Sequence, residues 1–376
     1  MTTTIKNEQK KLNVPNSTDK GNAIRNVPHL RFPEFSGEWI SKTIGDIAPL
    51  QRGFDLPTGQ INNGKFPVVY SNGIMNYHSS YKCVAPGLIT GRSGTIGKFT
   101  YIEDGYYWPH NTSLWVTDFY DNNPKFIYYL YQTIRIEQYS TGSGVPTLNR
   151  NNVHRHKIFI PKLIEQNKIA TILSLLDERI ATQTKIIDKL QTLIKGISCR
   201  IFTSIQGIEY RMGDIASITN GDSNVQDAVT ESKDGLYPFF DRSEDIKYLP
   251  TYLFDKEAII YPGEGAEFMP RYFKGKFALH QRCYAIFDFN EIINAQYLYF
   301  YLKTQNSYFV RNAVGSTVPS LRLDTFQKLK VVVPPKKIQY SVSLCLSSME
   351  QMFNVENEIL QMLLKQKQYL LRQMFI

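Results

Sequence analysis

Gly142-Ser143-Gly144-Val145-Pro146-Thr147-Leu148 returns further along the chain as Gly315-Ser316-Thr317-Val318-Pro319-Ser320-Leu321. The echo extends in both directions. Gly45-Asp46-Ile47-Ala48 comes back as Gly213-Asp214-Ile215-Ala216, and Phe126-Ile127-Tyr128-Tyr129 as Tyr297-Leu298-Tyr299-Phe300. Ile158-Phe159-Ile160-Pro161 comes back as Val331-Val332-Val333-Pro334. Solenoid repeats recur every 20–50 residues or so. A period near 170 residues, read from these positions, instead means a duplicated domain.

Each half reads the same way. Short apolar runs punctuated by Gly, Pro and Asn predict strands and turns. An aromatic helix follows, with Asn123-Pro124 as its start in the first half. Each half then has a Gly/Ser/Pro loop, a last apolar strand and a proline. Beyond each proline lies a long helical pattern. In the first, Ile169, Leu173, Leu176, Ile180, Ile187, Leu190, Ile194, Ile197 and Ile201 alternate in steps of four and three, broken by Gln183. In the second, Val342, Leu346, Met349, Phe353, Leu360, Leu363, Leu370 and Met374 hold the matching places. Glu356 stands where Gln183 did, and Lys367 is a further polar break. A 3.5-residue spacing is that of a coiled-coil seam, about 50 Å long at 1.5 Å per residue. The alternative is that each helix packs only on its own lobe. If the helices pair antiparallel, Gln183 and Glu356 meet near the midpoints and can fix register.

The expected architecture is α+β. Two mixed α/β lobes are separated by two long antiparallel helices in a pseudo-twofold internal repeat. The segments are a lead-in at 1–36, a first lobe at 37–161 and a first spacer helix at 162–204. A second lobe at 205–333 and a second spacer helix at 334–376 follow.

Composition narrows the function. The 376 residues are 42% hydrophobic, enough for real cores. No apolar run approaches the roughly 20 residues of a membrane span, so no membrane association is expected. Four scattered cysteines, Cys83, Cys199, Cys283 and Cys345, form no CxxC pair and fit a reducing, cytoplasmic setting. The net charge of +9 is compatible with nucleic acid. Residues 205–333, however, carry fourteen basic against sixteen acidic side chains, so a DNA-binding face there must be local.

These features resemble a known family. Lobes that open near Gly-Asp-Ile and close on an apolar strand and proline, each followed by an Ile/Leu-rich helix, are similar to specificity subunits of type I restriction–modification systems. Leu30-Arg31-Phe32-Pro33-Glu34-Phe35 with Gly37-Glu38-Trp39 resembles the family's lead-in, and Leu88-Ile89-Thr90-Gly91-Arg92-Ser93-Gly94-Thr95-Ile96-Gly97 its turn. The second lobe departs from that turn with Pro262-Gly263-Glu264-Gly265. The resemblance covers about residues 28–376. It implies a non-catalytic subunit that reads a split double-stranded DNA target, one half-site per lobe. Its helices would recruit two methyltransferase subunits, joined by restriction/translocase subunits. S-adenosylmethionine, ATP and Mg would be bound by those partners, with no cofactor in this chain. The helix pair would then act as a ruler between half-sites. A stand-alone two-lobed repressor, or a fused methyltransferase, are the other classes.

No catalytic residue is expected. Gly97-Lys98 is no phosphate loop, because Arg92 replaces its first Gly and Phe99 its Ser/Thr. No Asn-Pro-Pro-aromatic tetrapeptide or glycine-rich cofactor fingerprint is present. His154 and His156 lack a carboxylate or cysteine cluster for metal, and read as surface residues at a strand edge. Asp241, Glu244 and Asp245 read as a solvated loop. DNA reading needs polar side chains for base edges and basic ones for phosphates. In the first lobe the candidates are Arg52, Tyr70, Ser71, Asn72, Arg92, Ser93, Lys98, His110 and Asn111. In the second they are Asn220, Arg242, Arg271, Lys274, Lys276, His280, Gln281 and Arg282, with Arg271 to Arg282 a basic island. Arg150 and Arg322 follow the repeated loops and are candidate phosphate clamps. Ordinary surface charge is the alternative for each. Tyr128, Tyr129, Tyr299 and Phe300 sit at helical spacing and are expected in lobe cores.

Overall fold

A computed structural model describes residues 26–142 and 144–376. Most of the lead-in, 1–25, and Ser143 of the repeated loop lie outside the described residues. The chain divides into two compact units, Met1–Arg179 with Leu363–Ile376, and Ile180–Met362. The class is α+β.

In the first unit, Ile40–Thr43 pairs antiparallel with Lys157–Ile160, so the strands that open and close the lobe lie side by side. Between them are two four-stranded sheets. One runs Leu50–Arg52, Ser113–Val116, Gly87–Gly91, Phe99–Ile102. The other runs Gly73–His78, Phe66–Tyr70, Tyr106–Pro109, Cys83–Val84. The helix Pro124–Thr133 starts where Asn123 caps it, its side chain accepting from the Phe126 N–H with Pro in the first turn. Phe126, Tyr129 and Leu130 of this helix join Trp39, Leu88, Leu114 and Ile158 in the core.

The first Gly-Asp-Ile has a local cause, and the second, after Arg211, forms its one-turn helix without a side-chain cap. The Asp46 carboxylate accepts from the Thr43 N–H and hydroxyl at 2.9 and 2.7 Å, capping a one-turn helix, and Ile47 enters the core. Gly45 sits at a close approach, where a Cβ would lie 3.2 Å from that of His154.

The lead-in is explained by one buried carboxylate. Glu165, 3% exposed at its side chain, accepts from Arg31 Nε and Nη2 at 2.7 Å each and from the Trp39 indole at 3.3 Å. Glu165 in turn holds Arg31 above the usual guanidinium range, chiefly through their hydrogen bond. Removing one partner of such a pair costs about 3–5 kcal/mol because the other charge stays buried.

In the second unit, Ile208–Arg211 pairs antiparallel with Lys330–Val333. A six-stranded sheet runs Ser217–Asn220, Cys283–Phe287, Phe254–Pro262, Arg271–Leu279, Tyr237–Phe240, Lys247–Leu249. Asn294 caps the helix Ala295–Lys303 by accepting from the Tyr297 N–H. The core gathers Ile259, Tyr261, Ile286, Tyr297, Leu298, Phe326 and Val331. Tyr129 and Phe300 are buried, and Tyr128 and Tyr299 partly so.

The long helices are Leu163–Ser204 and Lys336–Gln373. Each begins with a buried glutamine that ties it to its lobe. Gln166 donates to the Pro161 carbonyl and accepts from the Asn123 N–H, both at 3.0 Å. Gln339 does the same with Pro334 and Asn294, at 2.8 and 2.7 Å. Within the first unit the helix segments run antiparallel. Phe126 stacks on Phe375 beside the start of the first helix, and Lys367 pairs with Asp177 at 2.6 Å. They are antiparallel within the second unit too, where Phe202 and Val342 pack on the same core. Of the heptad positions, Ile169, Leu173, Leu176, Gln183, Ile187, Leu346 and Leu363 are buried. Ile180, Leu190, Ile194, Val342, Met349, Phe353, Glu356 and Leu360 are half-buried.

Candidate nucleic-acid interface

Four loops converge at one edge of each lobe, joined by backbone hydrogen bonds. In the first lobe the Arg92 N–H donates to the Thr112 carbonyl at 2.8 Å, and the Leu148 N–H to the Arg92 carbonyl at 2.7 Å. Ser93 bridges to Thr147, and Phe54 to His110. This joins the turn after Gly87–Gly91, the closing loop, the loop after Leu50–Arg52 and a turn headed by His110.

The second lobe repeats the arrangement. The Leu321 N–H donates to the Gly263 carbonyl at 2.8 Å, Glu264 bridges to Ser320, and Ser223 to His280. The divergent Pro262-Gly263-Glu264-Gly265 therefore occupies the place of Gly91-Arg92-Ser93-Gly94. The two histidine turns share one geometry. Ser113 N–H donates to the His110 carbonyl and Cys283 N–H to that of His280, each at 2.9 Å. Burial pushes both imidazoles below their ordinary pKa. A neutral ring can accept at Nδ1 from the N–H two residues on, as His110 does from Thr112 and His280 from Arg282. His110-Asn111 and His280-Gln281 were readable in the sequence as a further repeat; their short length hid it.

Around the first cluster, Arg52, Arg92, Arg150, Asn149 and Asn151 line an open cavity of about 720 Å³. The Arg52 guanidinium pairs with Asp55 at 3.1 Å, and the Asn111 amide donates to the same carboxylate. Tyr70 lies over His110 with ring centroids 4.2 Å apart. Lys98 Nζ donates to the Asn72 carbonyl at 2.7 Å, fixing the Tyr70–Gly73 hairpin that carries Ser71. In the second cluster Asn220 Nδ2 donates to the Gln281 carbonyl at 3.1 Å, Gln281 Nε2 to Asn224 at 3.0 Å, and Arg282 Nη1 to Glu264 at 2.8 Å.

Other candidates fall elsewhere. Arg271 is an interior brace, donating from Nη1 to the Ser243 carbonyl at 2.9 Å and from Nη2 to that of Asp241, with Phe240 beneath it. The basic island is therefore not one surface. Lys274 and Lys276 are exposed on a strand, in register with Glu257 and Asp255. Arg242 is exposed on the loop that Arg271 braces. Asp241 is no solvated carboxylate: it is 4% exposed and accepts from Lys247 and Ser243. Burial acts to raise its pKa, but those hydrogen bonds win and hold it below the usual range. His154 and His156 are half-buried, each with one ring nitrogen partnered within the lobe. His154 Nε2 accepts from the Leu50 N–H at 2.8 Å, and His156 Nδ1 bonds the Tyr139 hydroxyl at 2.6 Å. Arg150 and Arg322 are both exposed but one place out of step. Arg322 holds the N-cap of its short helix, where the first lobe has Asn149.

The profile of the type I restriction modification DNA specificity domain matches this chain twice, over residues 36–192 and 208–365. The chain belongs to that family. Both lobes are thus specificity domains, and the internal repeat is the family's own unit. Over 125 residues the chain is 30% identical to the Type I restriction enzyme EcoDI specificity subunit of Escherichia coli. That stretch is 33% of this chain, and it spans only about a quarter, 26%, of the relative's length. The fold is similar to that of a type I restriction-modification system S subunit from M. genitalium, with a TM-score of 0.70 at 18% identity. This covers 93% of this chain and 99% of that one. A structure described for complex assembly and conformational transition of the type I R-M system scores 0.51 at 14% identity, covering 89% and 96%. Among the described residues no helix is long and apolar enough to cross a membrane. No group of three or more His, Cys, Asp or Glu among them is placed to hold a metal ion.

Proposed function

We propose that this chain is the non-catalytic, DNA-reading subunit of a type I restriction–modification complex, each specificity domain reading one half-site of a bipartite duplex target. The observation that carries this reading is the doubled loop cluster. One scaffold of four hydrogen-bonded loops is built twice and presents different polar side chains each time. Arg52, Arg92, Arg150 and Asn111 line or border the first, and Asn220, Gln281, Arg282 and Arg322 the second. Basic and amide side chains on convergent loops suit phosphates and base edges. The long helices suit partner subunits. Beyond their seam they expose apolar residues such as Leu175 at 58% and Leu344 at 71%. Two methyltransferase subunits would dock there, with restriction/translocase subunits completing the complex in the cytoplasm. S-adenosylmethionine, ATP and Mg would be held by those partners.

The test is to assemble the chain with type I methyltransferase subunits, expose DNA to the complex and map the methylated bases. A motif of two separated specific blocks is the expected result. Methylation in one continuous block, or none above background, overturns the reading.

A further inference from the structure

The two lobes carry an arginine on different loops. Arg92 stands on the turn after Gly87–Gly91, and Thr112 on the first histidine turn. In the second lobe Gly263 takes the place of Arg92, and Arg282 that of Thr112, as the matched hydrogen bonds establish. The exchange has a steric cause. A Cβ on Gly263 would lie 2.0 Å from the Arg282 carbonyl oxygen, so no side chain fits there. The second lobe therefore cannot present a guanidinium from this turn, and carries Arg282 on the histidine turn instead.

We infer that Arg282 reads a guanine in the second half-site and that Glu264 is the positioning residue that aims it. The inference rests on the DNA-reading function proposed above. Both carboxylate oxygens of Glu264 accept from Nη1 of Arg282, at 2.8 and 3.0 Å. The Arg282 side chain is 63% exposed, whereas that of Glu264 is only 19% exposed. The ion pair thus occupies one nitrogen of an accessible fork. Nε–H and Nη2–H remain as two parallel donors on the opposite edge. That pair matches the O6 and N7 acceptors of guanine in the major groove, whereas adenine offers a donor in place of O6. The backbone of Arg282 is held as well, its N–H donating to His280 Nδ1 at 3.2 Å. A phosphate is the poorer ligand for this arginine. The Glu264 carboxylate offsets the guanidinium charge and repels an anion, but leaves a neutral base edge unopposed.

The experiment selects bound duplexes from a library randomised in the second half-site, using the full chain with its methyltransferase subunits. The wild type should enrich a guanine at one position. Arg282→Ala should lower the preference for that base pair by about 10- to 100-fold, with the first half-site unchanged. Arg282→Lys keeps the charge without the planar fork, so it should weaken the base preference while retaining the salt dependence. Glu264→Gln should weaken guanine discrimination yet raise affinity for all sequences. A merely structural role for Glu264 would not produce that split. An Arg282→Ala protein that loses affinity equally for all sequences, with preferences intact, overturns the inference in favour of a phosphate clamp. So does a wild-type site with no guanine in its second half. If the wild type enriches no two-part site, the DNA-reading function itself fails, and this inference with it.

Discussion

Gln183 Nε2 donates to Glu356 twice, to its carbonyl oxygen at 3.0 Å and to its carboxylate at 2.5 Å, inside an otherwise apolar seam of the second unit. A one-heptad slip would place Gln183 against Met349 or Leu363 and Glu356 against Leu176 or Leu190, so the pair discriminates between registers. Gln183→Leu alone leaves Glu356 without its partner and should destabilise the protein by about 1–3 kcal/mol. The double Leu replacement should regain or exceed wild-type stability, since apolar pairs of similar volume replace buried polar ones at little cost. Thermal unfolding checks both; equal melting temperatures for the single variant and the wild type would count against this role.

Arg271 and its lysine neighbours should separate cleanly. Arg271→Ala removes the donors to the Asp241 and Ser243 carbonyls and should lower stability by about 2–3 kcal/mol, without changing the salt dependence of DNA binding. Lys274→Ala with Lys276→Ala should leave the melting temperature near that of the wild type. If these lysines meet phosphates, the salt slope flattens by up to about 0.9 for each phosphate left unneutralised. The measurements are thermal melts and binding titrations over a salt series. A flattened slope in Arg271→Ala would contradict the bracing role.

Acid should loosen the first lobe through His154. Its Nε2 accepts the Leu50 N–H, and burial together with nearby Arg150 holds its pKa below the ordinary 6.5. Unfolding releases an imidazole that takes up a proton near that value. The unfolded chain therefore binds more protons than the folded one as pH falls. The stabilisation is complete above 6.5 and is lost progressively as the pH drops through the lower folded value. The wild-type melting temperature should fall between about pH 7 and pH 5, and His154→Gln should reduce that fall. Identical pH slopes for the two proteins would remove His154 from this account.

The specificity domains should be exchangeable. Replacing residues 37–161 with the corresponding lobe of another family member leaves the Ile208–Arg211/Lys330–Val333 pairing and the second loop cluster intact. The methylated motif should change in one block only. A change in both blocks would show that the lobes do not read independently.

The order of residues alone was enough for the duplication, the α+β class and the two heptad seams. Periodicity and local capping are properties of neighbours in sequence, as Asn123-Pro124 and the Thr43–Asp46 turn illustrate. The seam positions Gln183 and Glu356 were legible because a heptad makes its own exceptions visible. Gln166 and Gln339 were equally repeated, but a lone glutamine carries no pattern until its carbonyl and amide partners are in place. Only the tertiary structure decided which polar residues are available to a ligand. Arg271, Asp241, His154 and His156 look like surface groups in a linear reading, yet each is partnered inside its lobe. Arg282 looks like one member of a basic run, yet it shares the histidine turn with Gln281 and faces Glu264 from a separate loop. The reason is physical: whether a charged side chain is a brace or a probe depends on desolvation and on hydrogen-bond partners many residues away, and sequence spacing holds no record of either.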